Sequence, residues 1–257
     1  MSSFSEFCWV ELATLDKPKA QAFYADLFGW SVLEQPLGTP SGRILAYAAF
    51  LLEGNPGGAV YELIAEQTAG GIAPHWLSYV AVESVDQSTR RAEQLGGTPL
   101  LDPSDVFEAG RMSIIEDPGG AKLGLWQAKN LAGFEPGQAL GAPCWFELRT
   151  PDVERCRKFY GSLFGWEQRR PSGPSALSLI TKGSRTLAGV TSLTDERAPS
   201  WTPHFAVASC DSSRARIQQA GGNPQAPATD LPGVGRRLTA LDPQGAPFAI
   251  LEPRFAS

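Results

Sequence analysis

The sequence contains two segments in which a glutamate follows a tryptophan by two residues. They are Trp9 and Glu11 in FCWVELAT, and Trp145 and Glu147 in PCWFELRT. Both segments alternate as a β-strand does, so each pair is predicted to share one face of its strand. A carboxylate partly removed from water has a raised pKa and can act as a general base, and an indole beside it can stack a flat ligand. Proton transfer or ligand recognition is therefore the chemistry these residues favour.

Two arginines are possible partners for these glutamates. Arg111 and Arg236 each follow a glycine directly. They could bind an anionic group of a ligand, or they could pair with Glu11 and Glu147 in structural ion pairs. The sequence leaves both interpretations open.

Three further side chains are candidates for a ligand cleft. Tyr79 and Trp126 could stack a flat ligand, although each taken singly is more simply a core aromatic residue. His204 occupies the position in the second half that Tyr79 occupies in the first, which suggests a polar position facing a cleft. A structural histidine with satisfied hydrogen bonds is the simpler interpretation.

Both tryptophan–glutamate pairs belong to an internal repeat. The segment FCWVELATLDKPKAQAFYADLFGW recurs 136 positions later as PCWFELRTPDVERCRKFYGSLFGW, and such a fixed offset is the signature of a repeat. Asp16 is predicted to cap a helix that Gly29 ends. Ala20, Phe23, Tyr24, Leu27 and Phe28 form its apolar stripe.

Each half is predicted to contain two βαβββ units. In the first unit the fourth strand is predicted over residues 59–64, after a turn over residues 54–58. A Gly- and Pro-containing linker over residues 128–142 separates a domain over residues 1–130 from a domain over residues 140–257. The second half is about 11 residues shorter, in the region that corresponds to residues 36–74. The two clefts are therefore expected to differ.

The composition bounds the function. The chain has 257 residues, 42% hydrophobic and 19% charged, with a net charge of -5 and a pI of about 5.2. These values indicate a soluble globular protein with no basic stripe for nucleic acid. No apolar run approaches the roughly 20 residues of a membrane helix, and no signal peptide begins the sequence, so a cytoplasmic protein is expected. The four cysteines are expected to be free thiols.

Four βαβββ units, with FYxxLFGW after the first helix of each half and DPxG before the last strand, resemble the vicinal oxygen chelate superfamily. This superfamily includes glyoxalase I, the bleomycin-resistance proteins and the extradiol dioxygenases. The resemblance implies an α+β fold of two tandem glyoxalase-like half-open barrel domains. It also implies that Trp9 and Glu11 point into one cleft, and Trp145 and Glu147 into another. Whether unit one pairs with unit two or with unit four is left open.

Metal enzymes of this superfamily place ligands on the first and last strands of paired units. The resemblance puts these positions at Trp9, near Glu62, Leu77 and Gly124 in the first half. In the second half they include Trp145, Thr202 and Ala249. Most of these side chains cannot bind a metal, so no metal or other cofactor is expected.

Two classes of function follow from the resemblance. The first is a metal-independent protein, like the bleomycin-resistance branch, that binds a small metabolite in a cleft. The second is an enzyme of the superfamily, a lyase, an isomerase or an oxygenase-like protein, for which dependence on a metal is left open. The expected partner is a small molecule, not nucleic acid or a membrane, and the chain would be a monomer that mimics a dimer, or a homodimer. Ligand binding is expected to depend on Glu11 more than on Glu147.

Overall fold

The computed structural model of the protein describes residues 4–35, 37–38, 44–137, 139–169, 177–195 and 197–254. Its helices are α1 Lys17–Phe28, α2 Ala65–Ala69, α3 Val85–Gln94, α4 Val153–Phe164 and α5 Cys210–Gln219. The strands of the first half are β1 Phe7–Thr14, β2 Ser31–Glu34, β3 Leu37–Gly38, β4 Ile44–Leu45, β5 Tyr47–Leu52, β6 Asn55–Glu62, β7 His75–Ala81, β8 Thr98–Val106, β9 Gly110–Glu116 and β10 Lys122–Ala128. Those of the second half are β11 Pro143–Thr150, β12 Glu167–Arg169, β13 Ser178–Lys182, β14 Arg185–Ser192, β15 Ser200–Ala206, β16 Asn223–Pro224, β17 Thr229–Leu231, β18 Gly235–Leu241 and β19 Pro247–Pro253.

The strands form two large sheets, one in each half of the sequence. The first has eight strands in the order β2-β5-β6-β1-β7-β10-β9-β8. The second has nine, in the order β12-β13-β14-β11-β15-β19-β18-β16, with β17 paired to β18. Neither sheet closes on itself among the described strands. The predicted α+β class with two tandem sheet domains is confirmed.

The chain divides into two compact units, and each takes residues from both halves of the sequence. The first unit contains residues 1–9, 77–136 and 145–202. The second unit contains residues 10–76, 137–144 and 203–257. Helix α3 packs against α4 in the first unit, and α1 packs against α5 in the second. The first βαβββ repeat therefore packs with the fourth in the second compact unit. The second repeat packs with the third in the first compact unit.

The repeated helix begins and ends where the sequence predicts. The side chain of Asp16 accepts a hydrogen bond of 3.0 Å from the backbone N–H of Lys19, as an N-cap does. Gly29 ends α1 in the left-handed region, with φ 73°, which a residue without Cβ adopts at little cost. The predicted apolar stripe of this helix is its buried face.

Two features of the first βαβββ unit differ from the prediction. The predicted turn over residues 54–58 is wrong, because β6 already begins at Asn55. Glu53 and Gly54, both with positive φ, close the hairpin in two residues, a geometry that matches the twist of the paired strands. The short helix α2 was not predicted. Its counterpart in the second half, the described residues 193–195 and 197–199, forms no helix.

A buried hydrogen-bond chain organises the core of the second unit. Nε1 of Trp76 donates to the hydroxyl of Tyr24 at 2.9 Å, and that hydroxyl donates to Oδ2 of Asp242 at 3.2 Å. Oδ1 of Asp242 accepts from the backbone N–H of Gln244 and of Ala246 and so shapes the predicted DPxG turn. The tyrosine of one repeat is thus fixed to the turn of the other.

The first unit contains the equivalent chain. Nε1 of Trp201 donates to the hydroxyl of Tyr160, and Tyr160 donates to Oδ2 of Asp117, both at 2.8 Å. Cys156 adds a longer contact of 3.5 Å to the same oxygen, and burial with the nearby charge of Asp117 raises the pKa of its thiol to about 12. This thiol is a structural group and is not a nucleophile at neutral pH.

All four cysteines are buried and free, as predicted. None of the helices in the described ranges has the length and apolar character that a bilayer crossing requires.

We expect Tyr24→Phe to lower the free energy of unfolding by about 1–3 kcal/mol, because it leaves buried polar atoms of Trp76 and Asp242 without a partner. Urea denaturation measures the loss. Tyr61→Phe is the control, since Tyr61 is only half-buried and its loss should be smaller. Equal losses of unfolding free energy in the two variants would contradict a stabilising role for the Trp76–Tyr24–Asp242 hydrogen bonds.

Asp242 should give the stability a pH dependence of its own. Burial raises its pKa above the usual value of 3.8, although backbone N–H groups and Tyr24 act in the opposite direction. The folded protein then holds the proton more tightly than the unfolded chain. This contribution favours folding below the unfolded pKa and is lost as the pH rises through the folded pKa.

Asp242→Asn should remove that contribution. Comparing the unfolding free energies of parent and variant between about pH 4 and pH 7, we expect the parent's relative advantage to be largest at the acid end. A difference that stays constant with pH would show that Asp242 titrates as in the unfolded chain.

Candidate functional site

In the second unit, Glu11 shares a sheet face with a tyrosine that the sequence did not single out. Strands β1 and β6 are parallel, with Glu11 opposite Ala59 and Ala13 opposite Tyr61. Directly paired residues share a face, so Glu11 and Tyr61 lie on the same side of the sheet. Both side chains are half-buried.

Helix α2 supplies a third polar group to this face. The side chain of Gln67 lies near enough to the Tyr61 hydroxyl to lower the pKa of that phenol, while its Oε1 accepts a hydrogen bond of 3.0 Å from the backbone N–H of Ile64. Tyr47 of β5 is paired directly with Tyr61 and lies on the same face. We call Glu11, Tyr47, Tyr61 and Gln67 the acidic–phenolic cluster.

The chemistry of the acidic–phenolic cluster follows from burial and charge. Burial raises the pKa of Tyr61, and the negative charge of Glu11 raises it further, against a lowering by Gln67. Tyr61 is therefore a neutral phenol at physiological pH and can donate a hydrogen bond. A carboxylate acceptor and a phenol donor side by side suit a ligand that carries both a donor and an acceptor.

In the first unit, the equivalent glutamate is closed off. Glu147 is 3% exposed, and its Oε1 accepts a hydrogen bond of 3.1 Å from the hydroxyl of Thr191. Thr191 lies on β14 and is paired with Arg149 of β11. In the first half, the equivalent pair is Tyr61 with Ala13, so Thr191 takes the position of Tyr61. The bulky phenol is thus replaced by a small hydroxyl that binds the carboxylate.

Apolar side chains fill the rest of that face. The Trp145 ring and Leu177 both pack against Gly189, where a Cβ would lie 2.5 Å from Leu177 and 3.2 Å from Trp145. Trp145 is fully buried, and its Nε1 has no hydrogen-bond partner among the described residues. This half presents less accessible polar surface than the acidic–phenolic cluster does.

The other predicted aromatic residues of the first half are buried in the first unit. Trp9 is 8% exposed and lies against Phe134, while Nε1 of Trp126 donates to the carbonyl of Leu131 at 2.8 Å. The ring of Tyr79 covers Gly124, where a Cβ would lie 2.1 Å from Cδ1 of Tyr79. Gly124 is thus required by packing.

Of the two interpretations left open for Arg111 and Arg236, the pairing with Glu11 and Glu147 is not what the structure shows. Arg111 makes two hydrogen bonds to Asp86, of 2.8 and 3.0 Å, and Arg236 binds Asp211. Both aspartates lie in the first turn of a helix, α3 or α5, where a negative charge is favourable. Arg111 and Asp86 also line an open surface pocket of about 280 Å³.

Glu62 faces away from Glu11, because alternate residues of a strand point to opposite sides. Its Oε2 accepts a hydrogen bond of 3.1 Å from the backbone N–H of Lys17, at the start of α1. Gln127 and Glu252 do the same for Val85 and Cys210 at the starts of α3 and α5. Among the described residues, Glu62 is thus one of three side chains that bind the first N–H of a helix from the end of a strand.

His204 lies in the core of the second unit. It is 1% exposed, stands opposite Ala249 in the sheet, and its carbonyl accepts a hydrogen bond from the thiol of Cys144. Its position is that of a buried strand residue.

The positions at which the superfamily holds a metal do not fit one here. Trp9, Leu77 and Gly124 offer no ligand atom on the side chain, and the carboxylate of Glu62 is used at the start of α1. Within the described ranges, no group of three or more His, Cys, Asp or Glu side chains could hold a metal ion. The residues at these positions therefore do not support metal chemistry.

Several residues of these sites were missed by sequence reasoning, among them Tyr61, Gln67 and Phe134. Tyr61 directly precedes Glu62, so a shift of one residue in the alignment of β6 exchanged the two faces. Gln67 lies on α2, which has no repeated counterpart. Phe134 lies in the linker, where no strand or helix pattern gives a direction to its side chain.

Thr191→Val should destabilise the protein by about 1–2 kcal/mol, because the buried carboxylate of Glu147 loses a donor. Thr191→Ser keeps the hydroxyl and should retain most of the stability. Thermal melts of the two variants test this directly. If valine is tolerated as well as serine, the bond does not hold Glu147.

Comparison with known proteins places the chain in a family. Residues 7–125 match the "Glyoxalase/Bleomycin resistance protein/Dioxygenase superfamily", and residues 145–251 match a "Glyoxalase-like domain". A Mycobacterium tuberculosis protein with the name "Putative glyoxylase CFP32" is 32% identical over 95% of this chain and 94% of its own length. The "Anthracycline biosynthesis protein DnrV" of Streptomyces peucetius is 30% identical over 96% of this chain and 92% of its own length.

Among solved structures, the 2,3-dioxygenase LapB from Pseudomonas sp. KL28 is similar in fold, with a TM-score of 0.64 and 14% identity over 99% of this chain and 94% of that one. The sequence matches, the repeated βαβββ units and the two sheets all indicate the same family. The chain is a tandem-domain member of the glyoxalase/bleomycin resistance protein/dioxygenase superfamily.

Proposed function

We propose that this protein binds a small metabolite in the cleft of its first half without using a catalytic metal. Glu11 and Tyr61 are the recognition groups: the carboxylate accepts a hydrogen bond from the ligand, and the phenol donates one to it. The observation that carries the proposal is the half-buried acidic–phenolic cluster on the sheet face of the second unit.

The difference between the halves supports this assignment. Glu147 is buried and bound by Thr191, whereas Glu11 is half-exposed beside a neutral phenol. Helix α2, present in the first half, places the polar side chain of Gln67 near Tyr61. Binding sites combine apolar walls with a few convergent polar groups. By that criterion the first half is the better binding surface.

The names of the relatives point to two kinds of ligand. One relative is named a putative glyoxylase and the other an anthracycline biosynthesis protein, so a substrate of the glyoxylase type or a compound of anthracycline biosynthesis is a candidate ligand. The metal positions of this chain lack suitable donors, which weighs against metal-dependent glyoxalase chemistry. We favour binding of a hydroxylated aromatic or polar metabolite.

We expect Glu11→Gln to reduce ligand retention about tenfold or more, because an ionised acceptor is replaced by a neutral amide at a charge-assisted hydrogen bond. Tyr61→Phe should reduce it by a similar factor. The immobilised protein is incubated with a metabolite extract of its host, and retained compounds are quantified by mass spectrometry. Their affinities are then measured by calorimetry.

Glu147→Gln is the matched control and should leave retention unchanged, since Glu147 is buried. Retention that survives Glu11→Gln and is lost in Glu147→Gln would reverse the assignment of the halves. Plasma emission spectrometry of protein prepared without chelators tests the enzyme alternative. A stoichiometric divalent metal would overturn metal-independent binding.

A further inference from the structure

In the first unit, the ring of Phe134 covers the indole of Trp9. The two ring centroids are 6.2 Å apart, and the ring planes meet at 27°. The backbone N–H of Phe134 donates a hydrogen bond of 2.8 Å to the carbonyl of Cys8, next to Trp9 in the chain. A phenylalanine of the linker thus occupies the face that would stack a flat ligand.

We call residues 131–136 the strap. At its start, the N–H of Leu131 donates to the carbonyl of Ala109 at 3.0 Å, and Nε1 of Trp126 donates to the carbonyl of Leu131. Beyond that anchor the strap has no regular secondary structure, and Ala132 and Glu135 are exposed. Segments with exposed backbone and little buried surface open locally at low free-energy cost.

Gly133 permits the strap to approach β1 closely. Its φ is +84°, and a Cβ at this position would lie 2.2 Å from the carbonyl oxygen of Cys8. An alanine would have to push this part of the strap away from the strand. The position therefore offers a way to lift Phe134 without altering Trp9.

We propose that the indole face of Trp9 is a subsite for a planar aromatic ring, which Phe134 occupies until the ring of a ligand displaces it. This goes beyond the recognition by Glu11 and Tyr61 and does not depend on it. Exchange of one ring for another keeps the indole covered and retains a stacked contact. Its cost is the opening of a short segment held at Phe134 by a backbone hydrogen bond.

The probe is naphthol, a neutral planar fluorophore, and binding is followed by its fluorescence. Phe134→Ala should tighten its dissociation constant about three- to tenfold, because the stacked competitor has been removed. Glu135→Ala changes an exposed neighbour in the same strap and should leave the constant unchanged. Circular dichroism and thermal melts confirm that the variants are folded.

A second variant keeps the phenylalanine and moves it. Gly133→Ala should also tighten naphthol binding, because the added Cβ collides with the Cys8 carbonyl. Gly71→Ala is the matched control: Gly71 has nearly the same φ, +82°, and a Cβ added there would meet no atom within 4 Å. It carries the backbone strain without the collision and should not change the binding.

Hydrogen exchange tests displacement in the unaltered protein. Saturating naphthol should speed exchange of the Phe134 amide, which is released from Cys8. Unchanged affinity in both Phe134→Ala and Gly133→Ala would overturn the proposal. Weaker binding in Phe134→Ala, or slower exchange at Phe134 with naphthol, would also overturn it, because Phe134 would then be a wall of the site. Loss of metabolite binding in Glu11→Gln leaves all these readouts unaffected.

Discussion

Tyr24 and Tyr160 each donate a buried hydrogen bond to an aspartate from the other half of the sequence, Asp242 and Asp117. The aspartate shapes its own turn through backbone N–H groups, and the tyrosine lies on the apolar face of its helix. One interaction therefore fixes a helix, a turn and the aromatic core between them. Buried polar groups that are fully bonded in this way specify a single packing arrangement, because every alternative leaves one of them unsatisfied.

This framework leaves the sheet faces free to differ. Both halves keep a glutamate at the same place on the first strand. In one half the neighbouring strand supplies Tyr61, and α2 adds Gln67. In the other half the hydroxyl of Thr191 donates to Glu147. Gly189, which has no side chain, leaves room for Trp145 and Leu177 to pack against its backbone. A few substitutions outside the repeated motif thus separate a polar surface from a closed core.

The sequence predicted the fold well because its signals are local and repeated: period-2 strands, capped helices and DPxG turns. It predicted the site less well. The face of β6 that carries the candidate side chain depends on how β6 is aligned with the other repeats. Gaps make this alignment uncertain by one residue, and Tyr61 was missed for that reason. Arg111 binds Asp86 at the start of α3 and not Glu11, and no local pattern in the sequence indicates that pairing. The side-chain direction of Phe134 follows from contacts of an irregular segment, which no periodic pattern encodes.

The exchange of tyrosine and aspartate between halves has an evolutionary consequence. After a duplication that fused two copies, a change in the tyrosine of one repeat would be felt by the turn of the other. The sequences of the two copies can then diverge at their sheet faces, whereas the tyrosine and aspartate motifs can change only together. A gene cut at the linker would encode halves that each carry a tyrosine and an aspartate whose partners lie on the other product.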